Sequence, residues 1–94
     1  MEVKATLKEV DTDLKNPGDF CFTPIAEGRF HLGFICPCGC GDFTGIVVRE
    51  DGQHLKPAWG WDKNRETPTV WPSILRLDRC KWHGYLTAGV FKSC

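Results

Sequence analysis

Three cysteines fall within five residues in Cys36-Pro-Cys38-Gly-Cys40-Gly41, and Cys80-Lys-Trp-His83-Gly84 follows downstream. Thiolates and imidazoles are the donors that zinc prefers, usually as four tetrahedral ligands supplied by two tight turns. The first segment suits such a turn. Pro37 fixes φ behind the leading cysteine, and the glycines after Cys38 and Cys40 permit positive φ. Backbone N–H groups in a turn of this kind point at the sulfurs and lower the thiol pKa. Cys80 and His83, three apart, form the second pair. These five residues compete for four positions. The proline favours Cys36 as first ligand, while Cys38 and Cys40 are each followed by glycine and both stay open as the second. The preferred set is Cys36, Cys38, Cys80 and His83, with Cys40 competing. The expected cofactor is Zn2+ in a structural Cys3His site, and a [2Fe–2S] cluster is the alternative.

The other candidates read as structural. Cys21 and Cys94 stand alone and are expected to pack as small apolar residues. His31 and His54 have no paired ligand nearby and read as surface or internally satisfied histidines. Ser73, in Thr69-Val-Trp-Pro-Ser73, has no histidine–carboxylate pair at a recognisable spacing, so it is expected to bond backbone after Pro72. No glycine-rich phosphate loop leads into a helix. No catalytic residue is therefore expected, and a closed metal site leaves no position for an activated water.

The elements that must carry these loops are short strands. The chain has 94 residues with ten Gly and six Pro, and no apolar helical period persists. Val3, Ala5 and Leu7 alternate with polar residues as a first strand. Asp19–Thr23, ended by Pro24, and Phe30–Phe34 read as the next two, and Phe43–Val48 as a fourth. Glu50-Asp-Gly52 reads as a hairpin turn. Trp59 and Trp61 share one face of an extended segment, and residues 67–75 with their two prolines are extended too. Tyr85-Leu86 and Val90-Phe91 flank a terminal hairpin. The expected architecture is a single mostly β domain over 1–94, small and antiparallel, Rieske-like or zinc-ribbon-like, with two metal-binding loops.

Twelve basic and twelve acidic side chains cancel, which removes any global charge argument for a nucleic-acid or acidic-membrane partner. No stretch approaches the roughly 20 apolar residues of a membrane span. Met1–Val10 lacks the apolar run of a signal peptide, so a cytoplasmic setting with reduced thiols is expected. Disulfides fit poorly, because cysteines two apart pair badly. Four Trp and one Tyr exceed what a core of this size needs, and aromatics left outside are typical of protein interfaces. A protein partner is the leading expectation. Single-stranded nucleic acid stacked on Trp59, Trp61, Trp71, Trp82 and Tyr85, near Arg76, Arg79 and Lys81, is the alternative.

Two resemblances add to this reading. Cys80-Lys-Trp-His83-Gly84 resembles the second loop of Rieske proteins, C-P-x-H-G, with Lys81 in the place of proline. Cys36-Pro-Cys38 has the spacing of their first loop, with cysteine in place of histidine. That likeness implies a small β domain with two metal loops, and a cluster of lower potential than a true Rieske centre. A wider likeness covers residues 30–91. The series C-P-C-G-C-G, Trp59–Trp61, P-T-x-x-P-S-I and C-x-x-H-G is similar to an uncharacterised family of small phage and bacterial Cys-rich proteins. It implies a metal-stabilised accessory protein of phage type, acting in the host cytoplasm on a host protein.

Overall fold

A computed structural model describes residues 2–52, 58–76 and 81–93. Cys80, Cys94, His54 and Arg79 lie outside the described residues. The described residues form strands, with one 3-10 turn among them at Asp11–Asp13. In chain order they are β1 (Glu2–Lys4), β2 (Thr6–Leu7), β3 (Asp19–Ala26), β4 (Arg29–Ile35) and β5 (Phe43–Arg49). There follow β6 (Ala58–Trp61), β7 (Val70–Trp71), β8 (Ile74–Leu75), β9 (His83–Thr87) and β10 (Val90–Ser93). The mostly β fold expected from the sequence is what forms. No helix among the described residues is long and apolar enough to cross a membrane.

Among the described residues the strands make two sheets, one in the order β2-β3-β4-β5-β6-β7 and one in the order β1-β10-β9-β8. The first strand of the sequence reading splits between them. Val3 pairs with Phe91 of β10, whereas Leu7 pairs in parallel with Phe20 of β3. Ala5 is the pivot, buried and donating its N–H to the Gly89 carbonyl at 2.8 Å. Phe34 from one sheet and Phe91 from the other meet with ring centroids 5.0 Å apart, and Trp82 packs edge-on against Phe91. Phe20, Leu32, Val48 and Leu86 complete this shared core without measurable exposure. Alternate residues of β5 (Ile46 and Val48) and of β9 (Gly84 and Leu86) are buried, as the packed face of a two-layer β fold requires.

Two local expectations change. Pro24 does not end its strand, because β2 pairs only with Asp19 and Phe20. Beyond them β3 is an edge, where a missing N–H costs no ladder bond. The Glu50-Asp51-Gly52 turn does not make a hairpin, because β6 returns parallel to β5, with Val48 opposite Trp59. The tryptophans divide by depth. Trp61 and Trp82 are buried, while Trp59 and Trp71 are half-buried and donate their indole N–H to backbone carbonyls.

Candidate functional site: a serine–histidine pair beside a thiol cluster

The β4–β5 hairpin carries the first cluster at its tip. Ile35 pairs with Phe43, and the Cys36 N–H donates to the Asp42 carbonyl at 2.8 Å, which closes the loop. Inside it the Gly39 N–H reaches back to the Cys36 carbonyl. Gly39 and Gly41 hold φ of 93° and 83°, a region that residues with a Cβ avoid. The glycines after Cys38 and Cys40 are there for backbone reasons, as their spacing predicts. The fold curls the loop until the three sulfurs converge. Cys36 and Cys38 Sγ lie 3.3 Å apart, and the Sγ atoms of Cys36, Cys38 and Cys40 all lie within 4.8 Å of one another. Thiolates sharing one tetrahedral zinc at about 2.3 Å would sit about 3.8 Å apart. The donor set fits a metal. Cys36 is buried, and Cys38 and Cys40 are exposed.

The second cluster divides. Cys80 falls outside the described residues, but the loop that contains it is pinned at its base. The Arg76 N–H donates to the Trp82 carbonyl at 2.8 Å, and Arg76 Nη1 lies 3.9 Å from Cys40 Sγ. Arg76 also faces Asp42 across 3.7 Å, so a side chain from the β8 end is lodged against the thiol loop. His83 is not in the three-sulfur group. Its Nε2 instead lies 3.0 Å from Ser73 Oγ, within hydrogen-bond distance.

Strand register makes this contact. Ile74 pairs with Gly84 and Leu75 with His83, so β8 and β9 run antiparallel. Ile74, Gly84 and Leu86 point into the core, which sends Ser73, Leu75, His83 and Tyr85 to the outer face. Ser73 and His83 are then diagonal neighbours across the pair, within reach of an imidazole. Two anchors hold them. Trp59 Nε1 donates to the Ser73 carbonyl at 3.1 Å and fixes the backbone of the serine. Gly84 lies under the Trp82 ring, where an added Cβ would come within 2.6 Å of Cζ2 and against the Lys92 carbonyl. The glycine after His83 lets β9 and the indole close over one another. Lys81 has φ of 50°, which proline cannot adopt. The conformation at Lys81 therefore excludes proline at this position.

Sequence analysis missed Ser73 as a partner for His83. The signal was present in the outward–inward alternation of Ser73-Ile-Leu75 and His83-Gly-Tyr-Leu86, two strands that a short loop can pair. His31 lies on β4 with its ring near Phe43, apart from the thiols. Cys21 is buried beside Leu14 and Ile35 as expected, and burial with nearby Asp11 pushes its thiol pKa up, against a lowering bond from Thr23.

A serine hydroxyl within hydrogen-bond distance of a solvent-facing imidazole is an arrangement that nucleophilic hydrolases use. The family model of the bacterial ubiquitination-like system serine protease (BubE) matches residues 6–94, and the chain belongs to that family. No curated protein and no solved structure matches it.

Proposed function

We propose that this chain is a serine hydrolase of a bacterial ubiquitination-like system, with Ser73 as nucleophile and His83 as general base. The carrying observation is the 3.0 Å contact between Ser73 Oγ and His83 Nε2, in a chain whose family is described as a serine protease. His83 Nε2 takes the hydroxyl proton as Ser73 Oγ attacks a carbonyl carbon of the substrate protein. The imidazolium then gives that proton to the departing amine or alkoxide, leaving an acyl ester on Ser73. Water, deprotonated by the same nitrogen, attacks the ester and releases a carboxylate, which restores serine and neutral histidine. The protein partner expected from the sequence is, on this reading, the substrate itself.

The thiol group serves the fold. Cys36, Cys38 and Cys40 would hold a metal, and Cys80 from the pinned loop is the fourth donor that the sequence offers once His83 is committed to Ser73. Zinc is the metal of choice for four thiolates, and it would tie the β4–β5 hairpin to the loop between β8 and β9. The test is cleavage of that system's modifier protein, extended at its C-terminus by a reporter. The wild-type chain should release the reporter, and Ser73→Ala should not. Equal release by the two proteins would refute the assignment.

A further inference from the structure

A cleft of about 510 Å³ opens one residue beyond the nucleophile. Its lining includes Ile74, Leu75 and Arg76 at the β8 end, residues 44–47 of β5, and Trp59. β8 is the last strand of its sheet. The bond from Arg76 N–H to the Trp82 carbonyl fixes which of its residues face inward. In an antiparallel ladder, hydrogen-bonded pairs alternate with pairs whose backbone groups point away. Arg76 with Trp82 is bonded, so Leu75 opposite His83 belongs to the other kind. Its N–H and C=O are directed away from β9, into the cleft. Ser73, two residues back, obeys the same alternation, and its outward carbonyl is the one that Trp59 caps. At Leu75 no strand of the described residues covers the edge.

From these observations, and resting on the assignment of Ser73 and His83, we infer that the cleft seats the substrate as an extended peptide. Its backbone adds to the open edge of β8 through the N–H and C=O of Leu75. An exposed edge is a template for one more strand. Leu75 is two residues from Ser73 at the strand repeat of about 3.3 Å per residue, so a guest strand paired at Leu75 lies close to the nucleophile. Ile46 and Ile74 supply an apolar floor, and the apolar side chain of Leu75, 51% exposed, is available to cover a residue of the guest strand. Recognition through backbone groups makes the cleft selective for an unfolded, extended segment, such as a tail or linker, over a folded surface.

The experiment uses the unmodified protein and two kinds of reagent. A small alkyl fluorophosphonate reads the reactivity of Ser73 alone. A mixed-sequence pool of acetyl-tetrapeptide diphenyl phosphonates reads the cleft as well, and is compared with pools N-methylated at each amide in turn. The expected result is that alternate amides matter. Methylation at a pairing position slows inactivation roughly tenfold, the scale of one lost hydrogen bond, and methylation at its neighbours does not. Equal effects at successive positions, or none, with the fluorophosphonate still labelling Ser73, would overturn this inference and leave the nucleophile standing. Failure of the fluorophosphonate itself would overturn both. Peptide rates that fall as protein concentration rises would show a second copy on the edge, and would overturn it too.

Discussion

The tip of the β4–β5 hairpin and the outer face of the β8–β9 pair are built in opposite ways. The thiol loop is local, with three donors from five consecutive residues brought together by two glycines of positive φ. The serine–histidine pair is non-local, joining residues ten apart through strand register alone. The loop sequesters one of its sulfurs completely, whereas the imidazole is left in solvent. The other two sulfurs of the loop, Cys38 and Cys40, are exposed like the imidazole. Arg76 links the two, since its backbone closes the hairpin under His83 and its side chain lies against Cys40 and Asp42.

Removing the metal should break the comparison most severely. A structural zinc contributes on the order of 10–16 kcal/mol in small domains, against a net stability of about 5–15 kcal/mol. Dialysis against a strong chelator should therefore abolish the cooperative thermal transition followed by near-UV circular dichroism. Ser73→Ala should do the reverse. Hydrolysis should fall by about 10³-fold or more while the melting temperature stays at the wild-type value, because the hydroxyl holds up no core contact.

His83→Gln sharpens the division between the sites. It should lower turnover by about 10²–10⁴-fold, the usual share of a general base, and retain one metal per chain by elemental analysis. Cys80→Ala should lose that metal. If His83→Gln lost it instead, the histidine would belong to the thiol site, as the sequence alone suggested. Gly84→Ala should cost about 1–3 kcal/mol in denaturant unfolding, because its Cβ would press on the Trp82 ring and the Lys92 carbonyl.

The smallest effect is at Cys21. Its folded pKa is raised above the ordinary thiol value of 9.0, chiefly by burial. The unfolded chain therefore gives up this proton at a lower pH than the folded one. The stabilising contribution is complete below pH 9.0 and is lost as pH rises through the folded value. Cys21→Ala should flatten that alkaline decline in stability. At neutral pH the native Cys21 thiol should resist iodoacetamide until the chain is unfolded.

The same contrast explains what was legible in the sequence. Cys36, Cys38 and Cys40 could be read directly, because proline and glycine at fixed offsets are local commitments of the backbone. The strands at Phe30–Phe34 and Phe43–Val48 were legible from alternation, and lie within β4 and β5. Ser73 was not read as a partner of His83. Its partner is set by a pairing of only two residues, Ile74 with Gly84 and Leu75 with His83. His83 was read as a metal ligand because C-x-x-H is a ligand spacing, and that spacing does not reveal its 3.0 Å approach to Ser73. The parallel return of β6 was hidden for a related reason, since Glu50-Asp-Gly52 makes a turn whatever strand follows it.

The most direct test of the account is the chemical reactivity of one hydroxyl. The zinc-loaded protein is treated with an alkyl fluorophosphonate at neutral pH, digested and mapped by mass spectrometry. A single adduct on Ser73, strongly slowed in His83→Gln, is the result the account predicts. An unmodified Ser73 in protein that keeps its metal and its melting transition would contradict it.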